Sequence, residues 1–317
     1  IYTATNNQQA LFDEYKTMAS LGLADADIYT HIGAYYTLIK DRENAKQAYI
    51  QAKVYDKTHP IASNLLALSY VEDNEYQKAI DVLQESVNYS TSAELQARVS
   101  YYYALQKKHK EALEVLTNTL KQFPDNVEIR YLYALCLIDN GDKKTALKEF
   151  ETIIKQTPKN EKYLLDYAIL LHDLEKYSKM QDVLENIIEI NPKNDTALNF
   201  LGYYFIDKKD SKNYWEEGRK LVERALVIKP KEISYIDSLA WYYFRIGNFE
   251  EAQKMIETLD ESQDVEIALH KAEIARALKH CEDAYKYYNI VVEKAKENEF
   301  AQKGLKQLNK VCAKQNL

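Results

Sequence analysis

The sequence predicts an all-α chain of about eight antiparallel helix pairs stacked on one another, with a further helix at each end. Three observations carry that prediction. Only 7 glycines and 5 prolines occur in 317 residues, too few turn formers for a sandwich or a barrel. All five prolines, Pro60, Pro124, Pro158, Pro192 and Pro230, fall between apolar-periodic stretches, and the last four stand 34, 34 and 38 residues apart. Proline breaks a helix interior but suits a helix start or a turn, so this spacing marks the edges of one recurring unit. On the same period a small residue returns at Gly33, Ala67, Ser100, Ala134, Ala168, Gly202, Ala240 and Ala272. Three residues after it comes a large one: Tyr36, Tyr70, Tyr103, Leu137, Leu171, Phe205 and Tyr243, with Ala275 the departure.

Taken in order, residues 1–25 hold the amphipathic stripe Leu11, Phe12, Tyr15, Met18 and Ala19. Carrying the period backwards makes residues 6–21 the second helix of a truncated repeat, with further repeats expected upstream. Eight units follow at 26–59, 60–92, 93–126, 127–160, 161–194, 195–232, 233–264 and 265–297. Each has helical apolar spacing split by a short turn. A second small residue recurs at Ala45, Ala79, Ala112, Ala146, Ala252 and Ala284, with Met180 and Gly218 as exceptions. The triplets "PDN", "PKN" and "PKN" at 124, 158 and 192 supply an Asn suited to capping the next helix. Lys271 is discordant, standing where the other units have an apolar residue. The 195–232 unit is about four residues long in excess through "DKKDSKNYWEEG". The excess is expected to project as a loop that offers Tyr214 and Trp215 to a partner, unless those two simply begin the second helix. Residues 298–317 read as a polar-faced capping helix.

One helix pair cannot bury its apolar face alone, so stacking is obligatory. The pattern resembles the tetratricopeptide repeat (TPR): small at position 8, large at 11, Ala at 20, Pro at 32. The resemblance covers residues 26–297 and implies a right-handed superhelical solenoid whose first helices line a concave surface. On that surface position 9 reads Ala34, Leu68, Tyr101, Leu135, Ile169, Tyr203, Trp241, Glu273, and position 12 reads Thr37, Val71, Ala104, Ile138, His172, Ile206, Phe244, Arg276. The expected site is an apolar groove of Leu68, Tyr101, Tyr131, Leu135, Ile138, Ile169, His172, Tyr203, Ile206, Trp241 and Phe244, receiving a partner's helix or tail. In a tighter array the same residues would pack between neighbouring repeats instead. TPR proteins that clamp a chaperone's C-terminal carboxylate use Lys at position 5 and Asn at position 9, and this chain has neither.

The segment 198–257, with "LGY" in one first helix and "IDSLAWYYFRIG" in the next, is similar to bacterial outer-membrane TPR lipoproteins. Its best-understood relatives are periplasmic adaptors of C-terminal processing proteases. That resemblance implies a periplasmic scaffold with a lipid anchor upstream of these residues. Cys281 and Cys312 are equidistant from the connection "KENE" at 296–299. In an antiparallel hairpin they could meet as a disulfide, which would mark an oxidising compartment. Two unrelated reduced thiols are the alternative. A cytoplasmic chaperone for an amphipathic secretion or assembly substrate is the second functional reading, and the recognition arm of a larger enzyme the third.

Several classes are set aside. Net charge is −7, which disfavours nucleic acid as a partner. No apolar run reaches the length of a membrane span. Neither HExxH, GxSxG nor a glycine-rich phosphate loop occurs, and the six histidines lack metal-binding spacing. The expectation is therefore a non-catalytic protein-binding chain without cofactor or metal.

Overall fold

A computed structural model describes residues 8–259 and 264–312. Residues 1–7, 260–263 and 313–317, which belong to the segments 1–25, 233–264 and 298–317, lie outside the described residues. The chain divides into two compact bodies, residues 1–158 and 159–317.

The N-terminal body begins with α1 (Gln8–Ser20). Four helix pairs follow: α2 (Ala26–Leu38) with α3 (Arg42–Tyr55), α4 (Pro60–Glu72) with α5 (Tyr76–Gln84), α6 (Ala93–Leu105) with α7 (His109–Gln122), and α8 (Val127–Asp139) with α9 (Lys143–Gln156). The C-terminal body pairs α10 (Glu161–Asp173) with α11 (Tyr177–Ile190), α12 (Asp195–Lys208) with α13 (Lys212–Ile228), α14 (Ile233–Arg245) with α15 (Phe249–Ile256), and α16 (Val265–Ala277) with α17 (Cys281–Lys294). It ends in α18 (Glu299–Cys312). The architecture is all-α, each helix packing mainly on its chain neighbours.

The helix starts follow from their caps. Asn126, Asn160 and Asn194 each accept a hydrogen bond from the amide three residues on, at 3.0, 3.2 and 2.9 Å, and such a cap contributes about 1 kcal/mol. Pro60 sits in the first turn of α4, where its missing N–H costs nothing. The turn inside a pair is equally regular. A left-handed residue follows the first helix at Lys40, Asn74, Lys107, Gly141, Glu175, Gly247 and Lys279, with φ between 56° and 86°. That conformation ends the helix and reverses the chain within a few residues.

The recurring small residues let paired helices approach. Ala67, Ala134, Ala168, Ala240 and Ala272 on first helices, and Ala79, Ala146, Ala252 and Ala284 on second helices, are completely buried. The α12–α13 pair goes further. A Cβ on Gly202 would lie 2.8 Å from the Gly218 carbonyl oxygen, and one on Gly218 would lie 2.5 Å from that of Gly202. Two backbones are in direct contact there.

The excess residues of the 195–232 segment do not project. α12 has 14 residues where the other first helices have 13, and α13 has 17 where the longest other second helices have 14. The insertion is absorbed as added helix, and Tyr214 and Trp215 lie in the first turn of α13. Lys271 is also explained. It is buried, and its ammonium donates to the Leu259 carbonyl at 2.9 Å, just past the end of α15.

α18 packs on α17 through Tyr288, Ala301 and Leu308. A Cβ on Gly304 would fall 2.4 Å from the Tyr288 ring, so glycine lets that ring lie flat on the helix. Beside it Cys281 and Cys312 form a disulfide with Cα atoms 6.1 Å apart.

Candidate functional site

The first helices of the C-terminal body enclose a recess of about 570 Å³. His172 comes from α10; Asn199, Phe200, Tyr203 and Asp207 from α12; Asp237 and Ser238 from α14; Glu266 and Ile267 from α16. Lys229, Glu232 and Asp264, from the turns leading into α14 and α16, complete the wall. No side chain of a second helix contributes. In such pairs the second helices carry the amphipathic outer face, so the inner wall falls to the first.

Tyr203 and His172 were expected in a groove and do line this recess. Their neighbours make it polar. The Tyr203 hydroxyl donates to Glu266 at 2.6 Å and lies 3.3 Å from Nε2 of His270. Nδ1 of His270 lies 2.8 Å from Oδ2 of Asp237. Because the phenol proton is committed to Glu266, Nε2 must donate to the phenol oxygen, and both ring nitrogens then carry protons. The electrostatics agree. Burial opposes a charged His270, but Asp237, then Glu266 and Asp207, outweigh it and hold its pKa above the ordinary imidazole value. Burial pushes the Tyr203 phenol far up, and Asp207 and Glu266 add to that. Lys208 is raised by its ion pair with Asp207 at 2.8 Å.

Trp241 is half-buried and packed against other rings. Its ring stacks on Phe244 at 4.5 Å and on His270 at 4.1 Å, and its indole N–H donates to Asp207 at 3.1 Å. Phe244 is also against Phe249 at 5.5 Å. These two aromatics form a wall between consecutive first helices rather than an empty platform.

Two expected groove residues are core residues. Ile206 is fully buried with Val222, Leu239 and Tyr242, close to Gly218 where α12 and α13 cross. Tyr131 is 5% exposed and sets its ring edge-on to Phe150 at 6.1 Å. At repeat position 5 it points towards its own second helix. Leu68, Tyr101 and Ile169 are exposed, and Leu135 and Ile138 half-buried.

The insertion residues serve the fold. Trp215 donates from its indole to the Lys209 carbonyl at 2.7 Å, and the Arg245 guanidinium lies 4.7 Å from its ring centre. Arg245 also donates to the Asp207 carbonyl at 2.7 Å, closing the C-terminus of α12. Tyr214 keeps an exposed edge, with its ring 5.2 Å from Phe205.

Among the described residues there is no group of three His, Cys, Asp or Glu side chains able to hold a metal ion. Nor is any described helix long and apolar enough to cross a membrane.

Residues 103–168 match the tetratricopeptide repeat family model. The chain as a whole has the fold of a tetratricopeptide repeat solenoid. A tetratricopeptide repeat protein from Parabacteroides merdae aligns with a TM-score of 0.60 at 18% identity, over 76% of this chain and 95% of that one. PilW, a type IV pilus biogenesis factor, aligns at 0.55 and 16% identity, over 67% of this chain and 98% of its own. The Cut9–Hcn1 hetero-tetramer of the APC/C supplies another match, at 0.60 and 14% identity, over 95% of this chain and 59% of that one. No curated protein sequence matches. At these identities the likeness establishes the TPR fold.

Sequence reasoning missed Asp207, Asn199, Asp237, Glu266 and His270. The signal available was positional. Asn199 and Asp237 occupy position 5 of consecutive repeats, a position that is also polar at Thr30 and Asn64 and apolar at Ala97, Tyr131, Leu165 and Leu269.

Proposed function

We propose that this TPR chain is a non-catalytic adaptor that receives an extended or helical segment of a partner protein against its first helices. The observation that carries the reading is the recess of about 570 Å³, lined by four consecutive first helices and the turns that lead into them. Its size falls among ligand-binding clefts. Exposed Leu68, Tyr101 and Ile169 at position 9 of other first helices add apolar contact points within their own bodies.

The compartment we infer is oxidising. The Cys281–Cys312 bridge supports a periplasmic setting, since cytosolic thiols are kept reduced. The resemblance of the 198–257 segment to outer-membrane lipoproteins supports the same setting, as well as a role beside an envelope protease. A cytoplasmic chaperone would instead carry free thiols at both positions.

Site-specific photocrosslinking in the native cell tests the docking surface. A crosslinking amino acid at Tyr101 or Ile169 should trap a discrete partner, and one at Val227, 82% exposed on a second helix, should not. Trapping from Val227 alone would end the proposal.

A further inference from the structure

We infer that the recess of the C-terminal body holds a basic side chain of the partner, an arginine guanidinium above all, against Asp237. The inference rests on the docking role just proposed and specifies what docks.

Asp237 is only 5% exposed, and its two oxygens are unequal. Oδ2 faces His270 at 2.8 Å, whereas Oδ1 is buried with no hydrogen-bond partner among the described residues. Buried carboxylate oxygens are ordinarily matched by donors, because stripping water from one without replacement is expensive. One repeat earlier, at the same repeat position and on the same recess, the side-chain oxygen of Asn199 is also buried without a donor. An amide can be turned to present its NH₂ instead, so Asn199 only seconds the argument. Asp237 can only accept.

The wall also fixes the charge of the guest. Asp207, Glu232, Asp264 and Glu266 join Asp237 around the recess, against Lys208, Lys229 and the protonated His270 that faces Asp237, so carboxylates still outnumber cations five to three. Both lysines are engaged with carboxylates, Lys208 with Asp207 at 2.8 Å and Lys229 with Asp195 at 2.7 Å. A peptide carboxylate would meet repulsion here, and a neutral amide would leave the acidic excess unanswered. A guanidinium brings several donors in a planar fork, and the Phe200 ring on the wall offers a face on which that plane can stack.

The test uses the full chain and two capped Gly-Ser peptides, one with a central arginine and one with the neutral isostere citrulline. Binding is followed by the indole N–H resonance of Trp241, which is bonded to Asp207 on the recess wall. The arginine peptide should bind about tenfold more tightly or better, as expected for a charge-assisted hydrogen bond to a buried acceptor. Asp237→Asn should erase that preference. Glu232→Gln, an exposed position whose side chain makes no capping bond, should weaken it about twofold while leaving the fold intact. Equal binding of the two peptides would overturn the cation site and leave the docking role standing. Free arginine amide binding as tightly as the peptide would keep the chemistry and remove the docking role. No response to either peptide at millimolar concentration would overturn the inference as well.

Discussion

Replacing Gly218 by alanine sets two effects of opposite sign against each other. In an ordinary helix interior the change stabilises by about 1 kcal/mol, because alanine is the better helix former. Here the new methyl would lie 2.5 Å from the carbonyl oxygen of Gly202, 2.9 Å from Cγ1 of Ile206 and 3.2 Å from Cβ of Phe205. Two of these neighbours are backbone or backbone-adjacent atoms, so no rotamer change removes the clash. α12 and α13 must part by roughly 1 Å, and a gap of that size forfeits a quarter to a half of each contact energy across it. Phe205, Ile206 and Val222, all essentially buried beside the crossing, lose most. Overpacking of this kind costs about 1–3 kcal/mol, and with the extended helices levered apart the upper end applies. The net expectation is a loss of about 2 kcal/mol. Urea unfolding followed by circular dichroism gives the midpoint, and hydrogen exchange of α12 and α13 amides locates the weakened pair, since repeat arrays open in parts. Adding Gly202→Ala should cost less than its own single effect, because the helices have already separated. A higher midpoint for Gly218→Ala would refute the contact.

Reducing the Cys281–Cys312 bridge releases a closure spanning 31 residues. It should destabilise the end of the C-terminal body by about 3–4 kcal/mol on the chain-entropy estimate, seen as faster proteolysis within α18 when reductant is present. Cys136 should stay unmodified by alkylating reagents in the native protein at neutral pH, because burial, helped by Asp139, pushes its thiol up to about 11; rapid labelling would contradict its packing. The His270 pair gives a pH dependence. Its folded pKa is raised by Asp237, Glu266 and Asp207, with Tyr203 also against the ring. The resulting stabilisation is therefore fully present below about 6.5, the ordinary imidazole value, and fades as pH climbs through the raised value. His270→Gln should flatten that part of the stability profile, and an unchanged slope would show the ring to be neutral.

The fold was legible because each rule that made it visible is local. Seven glycines cannot furnish a β-architecture, and small residues on a fixed period name the faces that must touch. Asn126, Asn160 and Asn194 cap where the triplets placed them. The insertion misled because a residue count does not say where added residues go. Lengthening both helices half-buries Trp215 between Arg245 and the end of α12, whereas a loop would have left it in water. Ile206, a presumed groove residue, is core because it faces Val222, Leu239 and Tyr242.

The site was harder for a reason built into repeat chains. Reading one position down an array assumes that each residue answers to its own repeat or the next. His270 breaks that assumption. It meets Asp237 one repeat back and Tyr203 two repeats back, and Tyr203 donates a hydrogen bond to Glu266 across the intervening first helix. Three first helices thus share one hydrogen-bonded chain whose members stand at four different repeat positions. No single column of the alignment contains it. What the sequence did carry was the pair Asn199 and Asp237 at position 5 of consecutive repeats, although Thr30 and Asn64 make that position polar elsewhere too. A polar residue at an inward-facing repeat position signals either a partner inside the chain or one outside it. His270 answers for one oxygen of Asp237, and the other oxygen, buried beside the recess, has no donor among the described residues.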